Sequence, residues 1–119
     1  MRTASTILAL MLVMAMHGQT REQVMKEIQR QGLPHPQIVL AQARHETGNF
    51  KSRLCKANKN LFGMKRGKRY ATYSHWKESI ADYKERISSR YKGGDYYAFL
   101  KKIGYAQDPK YNEKLRRYL

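Results

Sequence analysis

The sequence has few residues of several kinds, and each shortage excludes a class of protein. With one cysteine, Cys55, the chain forms no internal disulfide, so a hydrophobic core must hold the domain together. Histidine, cysteine and carboxylate residues never occur with the spacing of a metal site, and no glycine-rich loop has the pattern that binds phosphate. We therefore expect no metal and no other cofactor.

Acidic residues are also scarce. Nine Asp and Glu residues oppose 24 Lys and Arg residues, which gives a formal net charge of +15. Such a surface attracts polyanions, among them nucleic acid, anionic lipid and the bacterial cell wall, and charge alone does not choose between them. Apolar residues make up 41% of the 119-residue chain, which is enough for the core of one compact domain.

A long apolar run occurs only near the start of the chain. After Arg2, residues 3–16 carry no charge, but this run is shorter than the ~20 residues that a membrane-spanning helix needs. We predict a signal peptide at 1–18, cut after Ala15 or Gly18, and a single domain at 19–119; a buried N-terminal helix is the alternative. Export predicts a secreted or periplasmic protein with no stable membrane span, and it disfavours nucleic acid as a specific partner.

Helix-start and helix-stop residues predict a mainly α fold. Helices are expected at 20–31, 36–47, 74–90 and 95–103, with a last helix that Asp108 caps and Pro109 begins. No helical pattern runs from Gly48 to Tyr73, where residues 61–73 predict a short β-hairpin. We expect this hairpin to flank a substrate groove long enough for a polymer.

Glu46 is the carboxylate that this pattern singles out. Helical spacing places it on the apolar side of the second helix, close to the C-terminal end. Partial burial and the helix dipole both disfavour the charged form there, so the group retains a proton that a glycosidic oxygen needs on bond cleavage. On spacing alone, a solvated residue at the end of an ordinary helix is the favoured interpretation.

Four blocks of sequence add a family resemblance. They run from Ala41 to Gly48, from Asn58 to Lys65, from Tyr70 to Tyr83, and from Tyr105 to Tyr111. In these blocks, which span nearly all of the predicted domain, the chain resembles the glucosaminidase-type peptidoglycan hydrolases, a family that includes flagellar-rod hydrolase domains and autolysins. The resemblance implies a lysozyme-like fold, a glycan that contains N-acetylglucosamine, and hydrolysis of its β-1,4 bond.

The same resemblance implies roles for individual residues. Glu46 would be the general acid, and Tyr105 would lie beside the reacting sugar and orient its acetamido group or a water molecule. Residues expected to bind the sugars are Gln42, Asn60, Phe62, Gly63, Tyr70 and Tyr73. Aromatic residues are often only packing elements, so core packing is the open alternative for Tyr105, as hairpin packing is for the two hairpin tyrosines.

The sequence departs from a two-carboxylate glycosidase in one respect. No Asp or Glu occurs between Thr47 and Lys77, and the hairpin instead carries Lys65, Arg66, Lys68 and Arg69. The substrate's acetamido group or a tyrosine-held water must then replace the second carboxylate, or catalysis is weakened. We expect a monomeric endo-β-N-acetylglucosaminidase that acts on peptidoglycan and is retained by the anionic wall. The alternatives are a wall-binding protein with little or no turnover, a lytic transglycosylase or muramidase, and, less favoured, a basic nucleic-acid-binding module.

Overall fold

The computed structural model describes residues 19–119, which form six α-helices and one two-stranded antiparallel sheet. The elements in chain order are α1 (Arg21–Arg30), α2 (Pro36–Thr47), α3 (Arg53–Asn58), β1 (Lys65–Arg66), β2 (Arg69–Tyr70), α4 (Trp76–Arg86), α5 (Tyr96–Lys102) and α6 (Tyr111–Arg116), with a 3-10 turn at Ser88–Arg90 after α4. The prediction of a mainly α fold with one small hairpin is confirmed. The predicted signal peptide lies outside the described residues, and within them no helix is long and apolar enough to cross a membrane.

Helices with strong local signals lie where the sequence predicts them. The Thr20 hydroxyl accepts a hydrogen bond from the Gln23 backbone N–H, and the Gln23 side chain accepts one from the Thr20 N–H, which together form a capping box for α1. Pro36 is the first residue of α2, and Gly48 ends that helix with a φ of +55°. The Asp95 side chain caps α5 as expected.

Helix α3 corrects the prediction that no helix occurs between Gly48 and Tyr73. The Ser52 hydroxyl accepts a hydrogen bond from the Cys55 backbone N–H at 3.2 Å, and Lys59 ends the helix with a φ of +52°. A helix of six residues makes fewer than two turns, so its sequence is too short to show an apolar period.

The predicted bounds of the third helix were wrong at both ends. His75 rather than Ser74 caps α4, because the His75 Nδ1 atom accepts the Lys77 backbone N–H at 3.1 Å. The α-helix ends at Arg86, and the chain to residue 90 continues as a 3-10 turn. Ser74 instead donates its hydroxyl hydrogen to Glu78.

The last helix starts later than predicted. Helix α6 begins at Tyr111, so Pro109 precedes the helix rather than starting it. The Asp108 carboxylate accepts a hydrogen bond from the Lys110 backbone N–H at 2.9 Å and therefore stabilises a turn before the helix. The predicted helix cap is a turn residue.

Helix α2 lies at the centre of the domain. It packs on α1 and α6, and α1 also packs on α4. One cluster of buried apolar side chains joins these helices to the hairpin loop; its most buried members include Val24, Ile28, Val39, Leu61, Ile80, Tyr83, Leu100 and Leu115. Burial of these side chains fixes α2, so the residues at its C-terminal end are held on a rigid element.

Asn60 shapes the loop that leads into the hairpin. Its side chain is fully buried, and its Nδ2 atom donates to the carbonyl oxygens of Met64 and Ala71 at 2.9 and 3.0 Å. Its Oδ1 atom accepts from the backbone N–H groups of Phe62 and Met64 at 3.3 and 3.1 Å. One side chain thus satisfies four backbone groups and joins both ends of the hairpin.

A second set of polar contacts attaches the hairpin to α4. The Tyr73 hydroxyl donates to the Asp82 carboxylate at 2.6 Å, and the guanidinium groups of Arg66 and Arg86 lie 3.5 and 3.3 Å from the same oxygen. Arg86 also donates to the Lys65 carbonyl oxygen at 3.0 Å. These contacts fix the hairpin relative to the helical core.

Candidate active site

Glu46 lies in the last turn of the central helix α2 and is half-buried. Burial raises the pKa of its carboxyl group, because the charged form loses hydration. An interaction with the Tyr111 hydroxyl opposes this shift without cancelling it. The direction agrees with the sequence argument, and it increases the fraction of Glu46 that carries a proton near neutral pH.

The hairpin meets Glu46 at Gly63. A methyl group added at Gly63 would lie 3.3 Å from Glu46 Oε2 and 3.9 Å from the Tyr70 ring, so these three residues are immediate neighbours. Gly63 has a φ of +66°, which favours glycine. Tyr70 is 52% exposed, so its ring is available to a ligand beside the carboxyl group.

Tyr105 reaches the same place from the loop after α5. Its hydroxyl donates to the Phe62 carbonyl oxygen at 3.2 Å, in the residue before Gly63. Burial is the main cause that raises the Tyr105 pKa far above its usual value, and Tyr111 and Glu46 add to the effect. Tyr105 therefore holds the residue that precedes Gly63, the neighbour of Glu46.

The structure brings some of the predicted site residues together near Glu46 and buries the others in the core. Gly63 lies beside both Glu46 and Tyr70, and Tyr105 binds the carbonyl oxygen of the residue before Gly63. The remaining four have little or no exposed surface, with Gln42 and Asn60 at 0%, Phe62 at 2% and Tyr73 at 9%. The Phe62 ring packs on Tyr83 with 4.4 Å between ring centroids, and Tyr73 binds α4. Any effect of these four side chains on a sugar is therefore indirect in this conformation.

Tyr111 is a site residue that sequence reasoning missed. Tyr111 fits the apolar side of the last helix, yet its hydroxyl accepts a hydrogen bond from Gln42 Nε2 at 3.2 Å. Burial is the largest cause that raises the pKa of Tyr111, followed by the charge of Glu46. The sequence signal that could have identified Tyr111 is its place in the same block as Tyr105.

Two other acidic residues, Asp82 and Asp108, are bound to partners away from Glu46 and do not supply a second carboxylate beside it. Asp82 binds Tyr73 and two arginines, and Asp108 lies 2.5 Å from the Lys114 ammonium group. Within residues 19–119 no three His, Cys, Asp or Glu side chains are grouped as metal ligands would be. The carboxyl group that lies beside Gly63 is that of Glu46.

A half-buried carboxyl group at the junction of a helical domain and a hairpin is suited to proton donation, which is the chemistry that cleavage of a glycosidic bond needs. Comparison with family models gives the particular family: residues 21–119 match the glucosaminidase family, described as mannosyl-glycoprotein endo-β-N-acetylglucosaminidase. The match covers more than half of the chain, and the chain belongs to this family. Searches of curated proteins and of solved structures found no match. Membership implies a glycosidase that acts on a glycan.

Proposed function

We propose that this protein is an exported endo-β-N-acetylglucosaminidase that cleaves β-1,4 bonds in the glycan strand of peptidoglycan, with Glu46 as general acid. The observation that best supports this proposal is the half-buried Glu46 carboxyl group. Its raised pKa and its position beside Gly63 and Tyr70 suit proton donation to a sugar. The uncharged segment at 3–16 supports export. The charge of +15 supports an anionic polymer such as the cell wall as substrate.

In the first step, Glu46 donates its proton to the glycosidic oxygen as the bond from that oxygen to C1 of the N-acetylglucosamine breaks. A second protein carboxylate is missing from the hairpin, so the carbonyl oxygen of the substrate's own acetamido group forms the new bond to C1. This step produces a cyclic oxazolinium intermediate and a leaving sugar that carries the proton from Glu46.

In the second step, the Glu46 carboxylate removes a proton from a water molecule that attacks C1. The bond between C1 and the acetamido oxygen breaks, the acetamido group is restored, and Glu46 is protonated again. Two displacements at the same carbon retain its configuration. We propose that Tyr105 orients the acetamido group and that Tyr70 packs against the sugar ring.

A wall-binding protein without turnover is the second candidate. It is favoured because the hairpin carries basic residues and no carboxylate. Lys65, Arg66, Lys68 and Arg69 are all exposed and would bind wall carboxylates or phosphates without any chemistry. This candidate shares the exposed positive charge with the enzyme, and it differs in that Glu46 is dispensable.

Digestion of purified peptidoglycan by wild type and by Glu46→Gln separates the two candidates. The amide keeps the shape of the side chain but has no acidic proton to donate, so we expect the rate to fall by roughly 10²–10⁴-fold. Mass spectrometry of the fragments should show N-acetylglucosamine at the new reducing ends. An anhydro product would instead identify a lytic transglycosylase, and reducing N-acetylmuramic acid a muramidase.

Glu85→Gln is the matched control, because Glu85 is exposed on α4 and the substitution removes the same charge elsewhere. It should digest the wall at the wild-type rate. Equal digestion by wild type and Glu46→Gln would reject the assignment of Glu46. Wall binding by wild type with no digestion under any condition would favour the binding protein.

A further inference from the structure

The two faces of the hairpin carry different residues. Lys65 is paired with Tyr70 across the two strands, and Arg66 is paired with Arg69. Directly opposed residues of an antiparallel pair place their side chains on the same face, and successive residues of one strand alternate between the faces. Lys65 and Tyr70 therefore share one face, and Arg66 and Arg69 share the other. The basic residues of the two strands are thus not equivalent.

Contacts with the helices show which face adjoins the candidate active site. The Arg66 guanidinium group lies 3.5 Å from the Asp82 carboxylate, so the face with the two arginines is directed at α4. The other face is next to Glu46. A methyl group at Gly63 would lie 3.3 Å from Glu46 Oε2 and 3.9 Å from Tyr70 Cε1, so the carboxyl group and the ring border the same small space.

Lys65 is the cation on the face that adjoins Glu46. Its ammonium group lies 5.2 Å from the centre of the Tyr70 ring, which is within the range of a cation–π contact. Lys65 is exposed, and in the part of the chain that the structure describes it forms no ion pair. Tyr70 remains 52% exposed with Lys65 in this position. A positive charge that lacks an anionic partner there lies beside the ring on which the proposed function packs a sugar.

The chemistry of peptidoglycan supplies an anion next to the reacting sugar. N-acetylglucosamine alternates along the strand with N-acetylmuramic acid, whose lactyl ether ends in a carboxyl group. Both neighbours of a reacting N-acetylglucosamine inside a strand are therefore muramic acids. The lactyl carboxylate is free where no stem peptide is attached. Where a peptide is attached, the lactyl group is an amide and the peptide contributes carboxylates of its own.

We propose that Lys65 is a specificity-determining residue, which selects glycans that carry a carboxylate on the muramic acid bound next to Tyr70. The inference rests on the proposed function and deepens it, because it makes an acidic glycan, rather than a neutral polymer of N-acetylglucosamine, the preferred substrate. The Lys65 ammonium group donates hydrogen bonds to the carboxylate, and the Tyr70 ring restricts the positions of the flexible lysine side chain. Salt screens such a short contact less than it screens long-range attraction.

The first test compares two forms of one tetrasaccharide, in which N-acetylglucosamine and N-acetylmuramic acid alternate. One form has free lactyl carboxyl groups, and in the other form these groups are primary amides, which have nearly the same shape without the charge. Binding to the Glu46→Gln chain, which leaves the ligand uncleaved, is followed by NMR titration at about 0.5 M salt. We expect the acid to bind roughly three- to tenfold more tightly than the amide. Equal Kd values would overturn the proposal.

The second test adds substitutions in the hairpin to the same chain. Lys65→Gln should reduce the preference for the acid to about one, and Lys65→Arg should retain it. Arg69→Gln is the matched control, because it removes the same charge from the opposite face of the same hairpin. At this salt concentration the Debye length is below ~5 Å, so the control should keep the preference. Equal loss in Lys65→Gln and Arg69→Gln would show that the whole hairpin selects the anion and would contradict the proposal.

A third ligand, a strand fragment that keeps its stem peptides, identifies the source of the carboxylate. Tighter binding of the peptide-free fragment would assign the contact to the lactyl group. An amidase reaction that removes the peptide would then supply the preferred substrate. Equal or tighter binding of the peptide-bearing fragment, again lost in Lys65→Gln, would assign the contact to a peptide carboxylate.

Binding requires no turnover, so the preference can be measured whether or not wild type digests peptidoglycan. Digestion by wild type together with equal binding of the acid and the amide would reject this inference alone. A preference that depends on Lys65, together with no digestion, would reject the catalytic proposal alone. Failure of the proposed function and failure of this inference are thereby distinguished.

Discussion

At the scale of single residues, Gly63 determines how much free space lies in front of the Glu46 carboxyl group. The absence of a side chain leaves free space directly in front of Glu46 Oε2, where a methyl group would stand at 3.3 Å. That distance is tighter than ordinary van der Waals contact, so any larger residue must displace either the hairpin loop or Glu46. In the proposed mechanism, the glycosidic oxygen of the substrate occupies the same space.

Gly63→Ala tests this argument, with Gly67→Ala as the matched control. The two glycines have φ values of +66° and +64°, so alanine costs about 1–2 kcal/mol of stability at either position. Only Gly63→Ala places a methyl group against Glu46, whereas nothing lies within 4 Å at Gly67. We expect at least a tenfold loss of wall digestion for Gly63→Ala alone. Equal activity of the two variants at equal stability would contradict the argument.

Sequence reasoning placed some site residues better than others for a physical reason. Glu46 is on a helix, and helical spacing fixes the face on which a side chain lies, so its half-buried position at the end of α2 was predictable. Asn60 and Phe62 are in a loop, where no period shows which side chain faces inwards. Tyr111 fits an apolar helix face equally well as core or as site residue, and only the fold shows that its hydroxyl binds Gln42 on α2, the helix that carries Glu46.

At the scale of elements, the loop before the hairpin depends on Asn60. Four backbone groups of the loop and hairpin have this one side chain as a partner, and none of it is exposed to water. Buried polar groups that lose a partner carry their full desolvation cost. The position of Gly63 next to Glu46 therefore depends on Asn60, even though Asn60 does not face the surface.

Asn60→Ala should lower the free energy of unfolding by about 2–4 kcal/mol and abolish most of the wall digestion. Asn58→Ala is the control, because Asn58 makes a more exposed contact with Thr72 at 2.8 Å, worth about 0.5–1.5 kcal/mol. Urea unfolding followed by circular dichroism gives both values. A similar small loss in both variants would show that the loop holds its shape without Asn60.

The elements predicted correctly are those whose start and stop signals stand alone. Thr20, Gly48 and Asp95 each mark a helix end with no competing residue beside it. At the start of α4, Ser74 and His75 compete, and the ring nitrogen of His75 prevails because Ser74 is engaged with Glu78. Such choices depend on contacts between side chains, which single-residue cap preferences do not include.

At the scale of the whole molecule, the excess of positive charge extends to the edge of the candidate site. Within residues 19–119, Arg66 pairs with Asp82, and the Lys65 ammonium group lies 5.2 Å from the centre of the Tyr70 ring. Lys68 and Arg69 are exposed and form no ion pair in that part of the chain. A strand bound against Tyr70 would lie close to these two charges.

Charge at this position should therefore affect catalysis, whereas charge elsewhere should affect only general adhesion to the wall. The double variant Lys68→Gln, Arg69→Gln and the control Arg21→Gln, Lys26→Gln on α1 each lower the net charge from +15 to +13. At low salt we expect the hairpin variant to raise the KM for peptidoglycan roughly three- to tenfold and the control to change it less than twofold. Above about 0.5 M salt the difference should disappear, because the Debye length falls below ~5 Å. Equal KM values for both variants at low salt would show that net charge, rather than the hairpin, governs wall binding.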